Sequence, residues 1–172
     1  MTAEYLLRRE LGHVWALLMP ANRLVCQVCL DTGLRVGDVL ALRTEQLKPQ
    51  FWVREAKTGK SRRVNLRRAL LDELRAQAGD IWVFPSARDP RRHRTRQAVW
   101  ADVKRAAKAC RLPQNVSVHS LRKVYAAELL RETGDAQRVR RALNHADMAT
   151  TMIYIMAYEM YRAKYGNKKG GR

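Results

Sequence analysis

Acidic side chains are scarce in this chain: sixteen Asp and Glu stand against thirty-four Lys and Arg, a formal charge of +18 over 172 residues. A polyanion is therefore the expected partner, nucleic acid well ahead of a membrane surface. Cysteine is rare too, and three residues do not make a disulfide framework. Cys26-x-x-Cys29 lies inside an apolar run, LVCQVCL, and Cys110 has no neighbouring Cys or His. The pair reads as buried core, and no metal or cofactor is expected. Long apolar runs are also missing: none approaches the roughly 18 residues needed to cross a bilayer, so no membrane span is expected. The first nineteen residues, MTAEYLLRRELGHVWALLM, mix acids and bases through their apolar positions, which suits a helix and not a signal peptide.

What is present is ordinary for a globular fold, with 47% hydrophobic and 29% charged residues. The length suits one well-buried domain, taken here as residues 1–165, followed by a Gly/Lys-rich tail over 166–172. Helical spacing runs over 3–19 up to Pro20, over 22–31 up to the Thr32-Gly33 breaker, and over 36–43. The pattern then changes. Residues 51–56 and 61–66 read as strands flanking Lys57-Thr58-Gly59-Lys60, a hairpin turn with glycine inside. A helix over 67–77 ends near Gly79, and Ile81–Phe84 suggests a short third strand. Residues 85–95 form a basic loop, and helices follow over 96–110, 118–132, 135–143 and 148–163. The fold class is mainly α with a small antiparallel β-sheet (α+β).

The last third carries the chemistry. His119 and Arg122 are three apart at a helix start, so both point from one face. His145 follows at a corner, Leu143-Asn144-His145, and Tyr154 lies on the next helix. Upstream, Arg35 sits just past a turn and Lys57 stands at the hairpin corner. These residue types can break a phosphodiester without metal: arginine holds phosphate, histidine manages protons, tyrosine attacks. Each also has a plain reading. A lone arginine is most often solvated or ion-paired, and a lone histidine is more often a cap or core residue. Lys60 rivals Lys57. Tyr154, Tyr158, Tyr161 and Tyr165 fall at i, i+4, i+7 and i+11, the spacing of an aromatic packing stripe.

The motifs settle the choice by resemblance. Thr32-Gly-Leu-Arg-Val-Gly-Asp-Val-Leu-Ala-Leu-Arg43, then His119-Ser-Leu-Arg122 through Leu143-Asn-His145 to Tyr154, resemble the boxes of the tyrosine recombinase (phage integrase) family. The resemblance covers nearly the whole chain and implies the catalytic domain of that family. It implies Arg35 and Arg122 as clamps on the scissile phosphate, Tyr154 as nucleophile, and His119 as its base. His145 would donate a hydrogen bond to the phosphate, Lys57 would protonate the leaving 5′-oxygen, and Asp38 would support the site from behind. Tyr158, Tyr161 and Tyr165 are then left to packing. The same resemblance implies a 3′-phosphotyrosine intermediate, double-stranded DNA as partner, a dimer or tetramer on DNA, and involvement of an accessory protein or a longer recombinase. A cytoplasmic, nucleoid-associated protein follows from it. Lys60, Arg62, Arg88, Arg91, Arg92, Arg94 and Arg96 are the expected DNA-backbone contacts, with Lys164, Lys168, Lys169 and Arg172 either contacts or a solubilising tail.

The chain departs from the family pattern in several places. The N-terminal core-binding domain that completes the clamp on DNA is expected to be absent. Lys123 stands where a second histidine is common, Asn144 where glycine is usual, and Ile155 where a small or polar residue is common. Asn tolerates left-handed backbone, so that corner is expected to survive. Two rivals keep the fold but change the function: a DNA-occupying regulatory module without strand exchange, and a type IB-like topoisomerase without site preference.

Overall fold

The computed structural model describes residues 8–112, 115–145 and 148–165, and side chains within them except at 8–10, 161, 162, 164 and 165. The expected helical start at 3–7, the tail at 166–172, and the side chains of Tyr161, Lys164 and Tyr165 lie outside the described residues. In chain order the elements are α1 (Arg8–Leu17), α2 (Pro20–Thr32), α3 (Val36–Leu40), a 3-10 turn (Thr44–Gln46), β1 (Gln50–Arg54), β2 (Ser61–Asn65), α4 (Arg68–Gln77), α5 (Arg96–Ala109), α6 (Val118–Thr133), α7 (Ala136–Ala142) and α8 (Met148–Tyr165).

Helix α2 is the central post. Leu24, Val25, Cys26, Val28 and Cys29 are all buried, and α2 packs against α3, α4, α5 and α6. Burial raises the Cys29 thiol to about 12, so it is an inert apolar group, as is Cys26. Pro20 opens the helix at a position where the missing N–H costs nothing. The buried Asp102 carboxylate on α5 accepts from Met19 N at 2.9 Å and from Asn22 Nδ2 at 2.8 Å, which fixes α2 to α5. At the other end Gly33 takes φ +66. A Cβ there would stand 2.4 Å from Tyr125 Cδ1, so both backbone and space demand glycine.

Other ends follow from their caps. Ser117 and Ser120 form a reciprocal capping box at the start of α6, which Gly134 ends with φ +65. Asp135 then caps α7 by accepting from Gln137 N at 2.8 Å and Arg138 N at 3.0 Å. Asn144 adopts φ +51 at the corner before His145, in line with its tolerance of left-handed backbone.

The sheet is a single antiparallel hairpin with Phe51 opposite Val64 and Val53 opposite Arg62. Alternation puts Phe51, Val53 and Val64 inside. Two expectations need correction. The third helix stops at Leu40, and Thr44–Gln46 turns as 3-10. Ile81–Phe84 is not a strand of the sheet. It runs beside residues 42–44 instead, where Thr44 N donates to Ile81 O at 3.1 Å and Val83 N to Leu42 O at 3.0 Å, and Pro85 cannot extend the ladder. The basic loop is itself well tied: Trp82 Nε1 donates to Arg91 O at 3.0 Å, Ser86 N to Arg92 O at 2.9 Å, and Arg94 N to Phe84 O at 2.8 Å.

Candidate active site

Three turns converge on one cleft of about 540 Å³, lined by Arg35, Gly37, Asp38, Lys57, Arg96, His119 and Arg122 among others. Arg35 precedes α3 and leaves the turn that Gly33 makes possible. Lys57 is exposed on the β1–β2 connection. His119 and Arg122 share a face in the first turns of α6. Asp38 is buried, and its Oδ1 accepts from Ala56 N at 2.9 Å, which ties α3 to the hairpin corner beside Lys57.

Arg122 is almost wholly buried and reaches the cleft from behind. Its two terminal nitrogens donate to the carbonyls of Gly33 and Leu143, joining the end of α2 to the end of α7. Desolvation and the positive charge of Arg35 lower its pKa to about 10, so it stays charged at neutral pH. Arg35 and Arg122 line the same cleft.

Helix α8 packs on α6 and α7 and delivers Tyr154 to the same edge. His119 Nε2 lies 2.8 Å from Tyr154 Oη. The phenol ring stands edge-on between two imidazoles, with centroids 5.8 Å from His119 and 5.3 Å from His145. Partial burial raises the Tyr154 pKa, against the pull of Arg122 and Arg35, so the phenol is protonated at neutral pH and would need a base before it could act as a nucleophile. The base candidate is suited to the task. Desolvation, then Lys123, Arg122, Arg35 and Lys57, depress the His119 pKa, which keeps its imidazole neutral near pH 7. His145 is held by a 2.9 Å hydrogen bond between Nδ1 and the buried Thr151 Oγ1.

Residues 17–160 match the phage integrase family. The chain belongs to that family. It is 30% identical over 132 residues to the probable integrase/recombinase YoeC of Bacillus subtilis, covering 73% of this chain and 72% of that protein. It is 35% identical over 159 residues to the tyrosine recombinase XerD of Bradyrhizobium diazoefficiens, covering 81% of this chain and 50% of that one. The chain thus spans about half the length of the XerD proteins that it matches. A crystal structure of a lambda integrase(75–356) dimer bound to a COC′ core site superposes with a TM-score of 0.78 at 18% identity, covering 100% of this chain and 63% of that one. The catalytic domain of bacteriophage HP1 integrase superposes with a TM-score of 0.63 at 20% identity, covering 98% and 100%. The fold is that of a tyrosine recombinase catalytic domain.

Within this phage integrase fold, the expected DNA-contact residues divide. Lys60, Arg88, Arg91, Arg92 and Arg96 are exposed, and Arg96 also lines the cleft. Arg94 is half-buried, with its Nε turned into the protein. Arg62 is a correction. It does not lie on the surface: Nη2 donates to Thr32 O at 2.7 Å, Nη1 donates to Ala142 O, and Nε lies 3.2 Å from the buried Glu55 carboxylate. The reason is that the Glu55 carboxylate and two helix-end carbonyls together compensate the desolvation of the guanidinium, and Arg62 in turn pairs the otherwise costly buried charge of Glu55. Tyr158 is buried against Ala127, as a packing residue should be.

Two residues escaped sequence reasoning. Thr151 orients His145. Glu55, with no exposed surface, bridges Arg35 and Arg62. The strand alternation that buries Phe51 and Val53 also points Glu55 inward, and that signal was available in the sequence. Among the described residues, no group of three or more His, Cys, Asp or Glu could hold a metal ion.

Proposed function

We propose that this chain is the catalytic domain of a site-specific DNA recombinase that cleaves and rejoins strands through Tyr154. The observation that carries the reading is the 2.8 Å contact between His119 Nε2 and Tyr154 Oη beside a cleft shared by Arg35, Arg122 and Lys57.

The charge balance of the cleft supports a phosphodiester as its occupant. Arg35, Lys57, Arg96 and Arg122 line it with a single carboxylate, Asp38, among the described lining residues, which leaves the wall clearly positive for a phosphate. Tyr154 Oη bonds to phosphorus as its proton passes to His119 Nε2. The bond from phosphorus to the 5′-oxygen breaks, and Lys57 supplies the proton that the departing oxygen needs. Arg35 and Arg122 stabilise the extra negative charge of the five-coordinate transition state, with His145 as a further donor. The product is a 3′-phosphotyrosine ester, one phosphodiester exchanged for another. A 5′-hydroxyl from another strand reverses the step, so rejoining needs no external energy source.

Exposed Lys60, Arg88, Arg91, Arg92 and Arg96 suit contact with the DNA backbone. Met152, Ile153, Met156 and Met160 leave an exposed apolar stripe on α8, which supports assembly as dimers or tetramers on DNA. The test uses nicked suicide duplexes built from whatever inverted repeats sequencing finds in the DNA next to the gene. Wild type should form an SDS-resistant covalent adduct and Tyr154→Phe none. Absence of adduct from wild type would favour a module that only occupies DNA. Rapid relaxation of a plasmid lacking those repeats would favour a topoisomerase.

A further inference from the structure

The least expected residue of the site is the carboxylate of Glu55, fully buried in a chain that carries a large positive charge. A buried carboxylate is costly unless cations and donors surround it. Here Oε2 accepts from Arg35 Nη1 and lies 3.5 Å from Thr58 Oγ1, while Oε1 faces Arg62 Nε at 3.2 Å. Arg62 in turn holds Thr32 O and Ala142 O, the ends of α2 and α7. The Glu55 backbone closes the hairpin connection: its N–H donates to Lys60 O at 2.9 Å, and its carbonyl accepts from Gly59 N at 2.8 Å. One residue therefore joins the cleft arginine to the loop that bears Lys57.

We propose that Glu55 is a positioning residue for Arg35, its buried carboxylate aiming that guanidinium into the cleft and keeping it in register with the Lys57 hairpin. This rests on the reading of Arg35 as a phosphate ligand. Glu55 touches no substrate. It acts by fixing one side of the fork so that the other faces the phosphate with little reorganisation. Its charge also offsets the mutual repulsion of Arg35, Arg62 and Arg122, so that they can gather round one anion.

The experiment measures single-turnover adduct formation at saturating nicked duplex for Glu55→Gln, which keeps the shape and loses the charge. DNA affinity and thermal midpoint are measured alongside. The rate should fall about 10-fold or more, as expected when a charge-assisted hydrogen bond is removed, while DNA affinity holds or tightens. A 5′-bridging phosphorothiolate duplex, whose thiolate leaves without a proton, locates the effect: it should restore Lys57→Ala but not Glu55→Gln. Full rate for Glu55→Gln, recovery of Glu55→Gln on the phosphorothiolate, or a fall in rate matched by equal falls in affinity and thermal midpoint would each overturn the proposal. If Glu55→Gln does not fold, Glu55→Asp is read instead. It keeps the charge but draws it back by one methylene, and full rate there is again fatal. Failure of wild type to form adduct would sink the proposed function itself, a result distinguishable from all of these.

Discussion

His119 Nε2 and Tyr154 Oη lie 2.8 Å apart although 35 positions separate them in the chain. The contact joins a protonated phenol to a neutral imidazole, the pairing that general-base attack requires. His119→Gln should therefore slow adduct formation on a nicked duplex by about 100-fold or more. DNA affinity should change little, because His119 is one group beside many cations that meet the DNA backbone. Equal adduct rates for wild type and His119→Gln would remove His119 from the proton path.

The pH dependence has a definite sign. As base, His119 must be neutral, so the adduct rate should rise with pH through its pKa, which burial and neighbouring cations hold below the usual 6.5. Lys123 is the first cation among those causes, and its Nζ also lies 5.5 Å from the centre of the Tyr154 ring. Lys123→Met should then raise the His119 pKa and move the acid limb of the rate profile to higher pH. Lys123→Arg should leave the limb in place. A limb unmoved by removal of the charge would show that Lys123 does not act on His119.

Arg88, Arg91 and Arg92 are exposed on a loop whose backbone is tied down by hydrogen bonds, so their attachment points are fixed, and Arg91 pairs with Asp89 at 3.1 Å. Replacing all three by Ala should weaken DNA binding and flatten its salt dependence, by about 0.9 in log–log slope for each phosphate no longer neutralised. The adduct rate at saturating DNA should be unchanged. An unaltered slope would mean that the loop faces away from the duplex.

Gly33→Ala should destabilise the fold by about 1–3 kcal/mol from the left-handed backbone alone, read from the urea midpoint, with more from the ring of Tyr125. The clash can be isolated by a double-mutant cycle, since Tyr125→Ala should relieve part of the cost. Strict additivity would assign the whole effect to the backbone.

Most helices were legible because their ends are written locally. Gly33, Thr95, Ser117, Gly134 and Asp135 cap or stop helices through neighbours a few positions away, so α2, α5, α6 and α7 lie close to their expected bounds. The sheet was legible from alternation, but the role of Ile81–Phe84 was not, because its pairing partner is the distant segment 42–44. Arg62 misled for a related reason. Its long side chain can serve either face of β2, and the face was decided by a carboxylate just past the opposite strand and by two carbonyls from separate helix ends.

The amino-acid order alone determined the helical plan and the basic character, since both depend on residue type and short spacing, and its motifs suggested the ordered set from Arg35 to Tyr154 by family resemblance. Tertiary structure decided which cations face the cleft and which stabilise its walls. Electrostatic pairing in a buried site depends on distances between remote segments, and those exist only once α2, the hairpin, α6 and α8 have packed together.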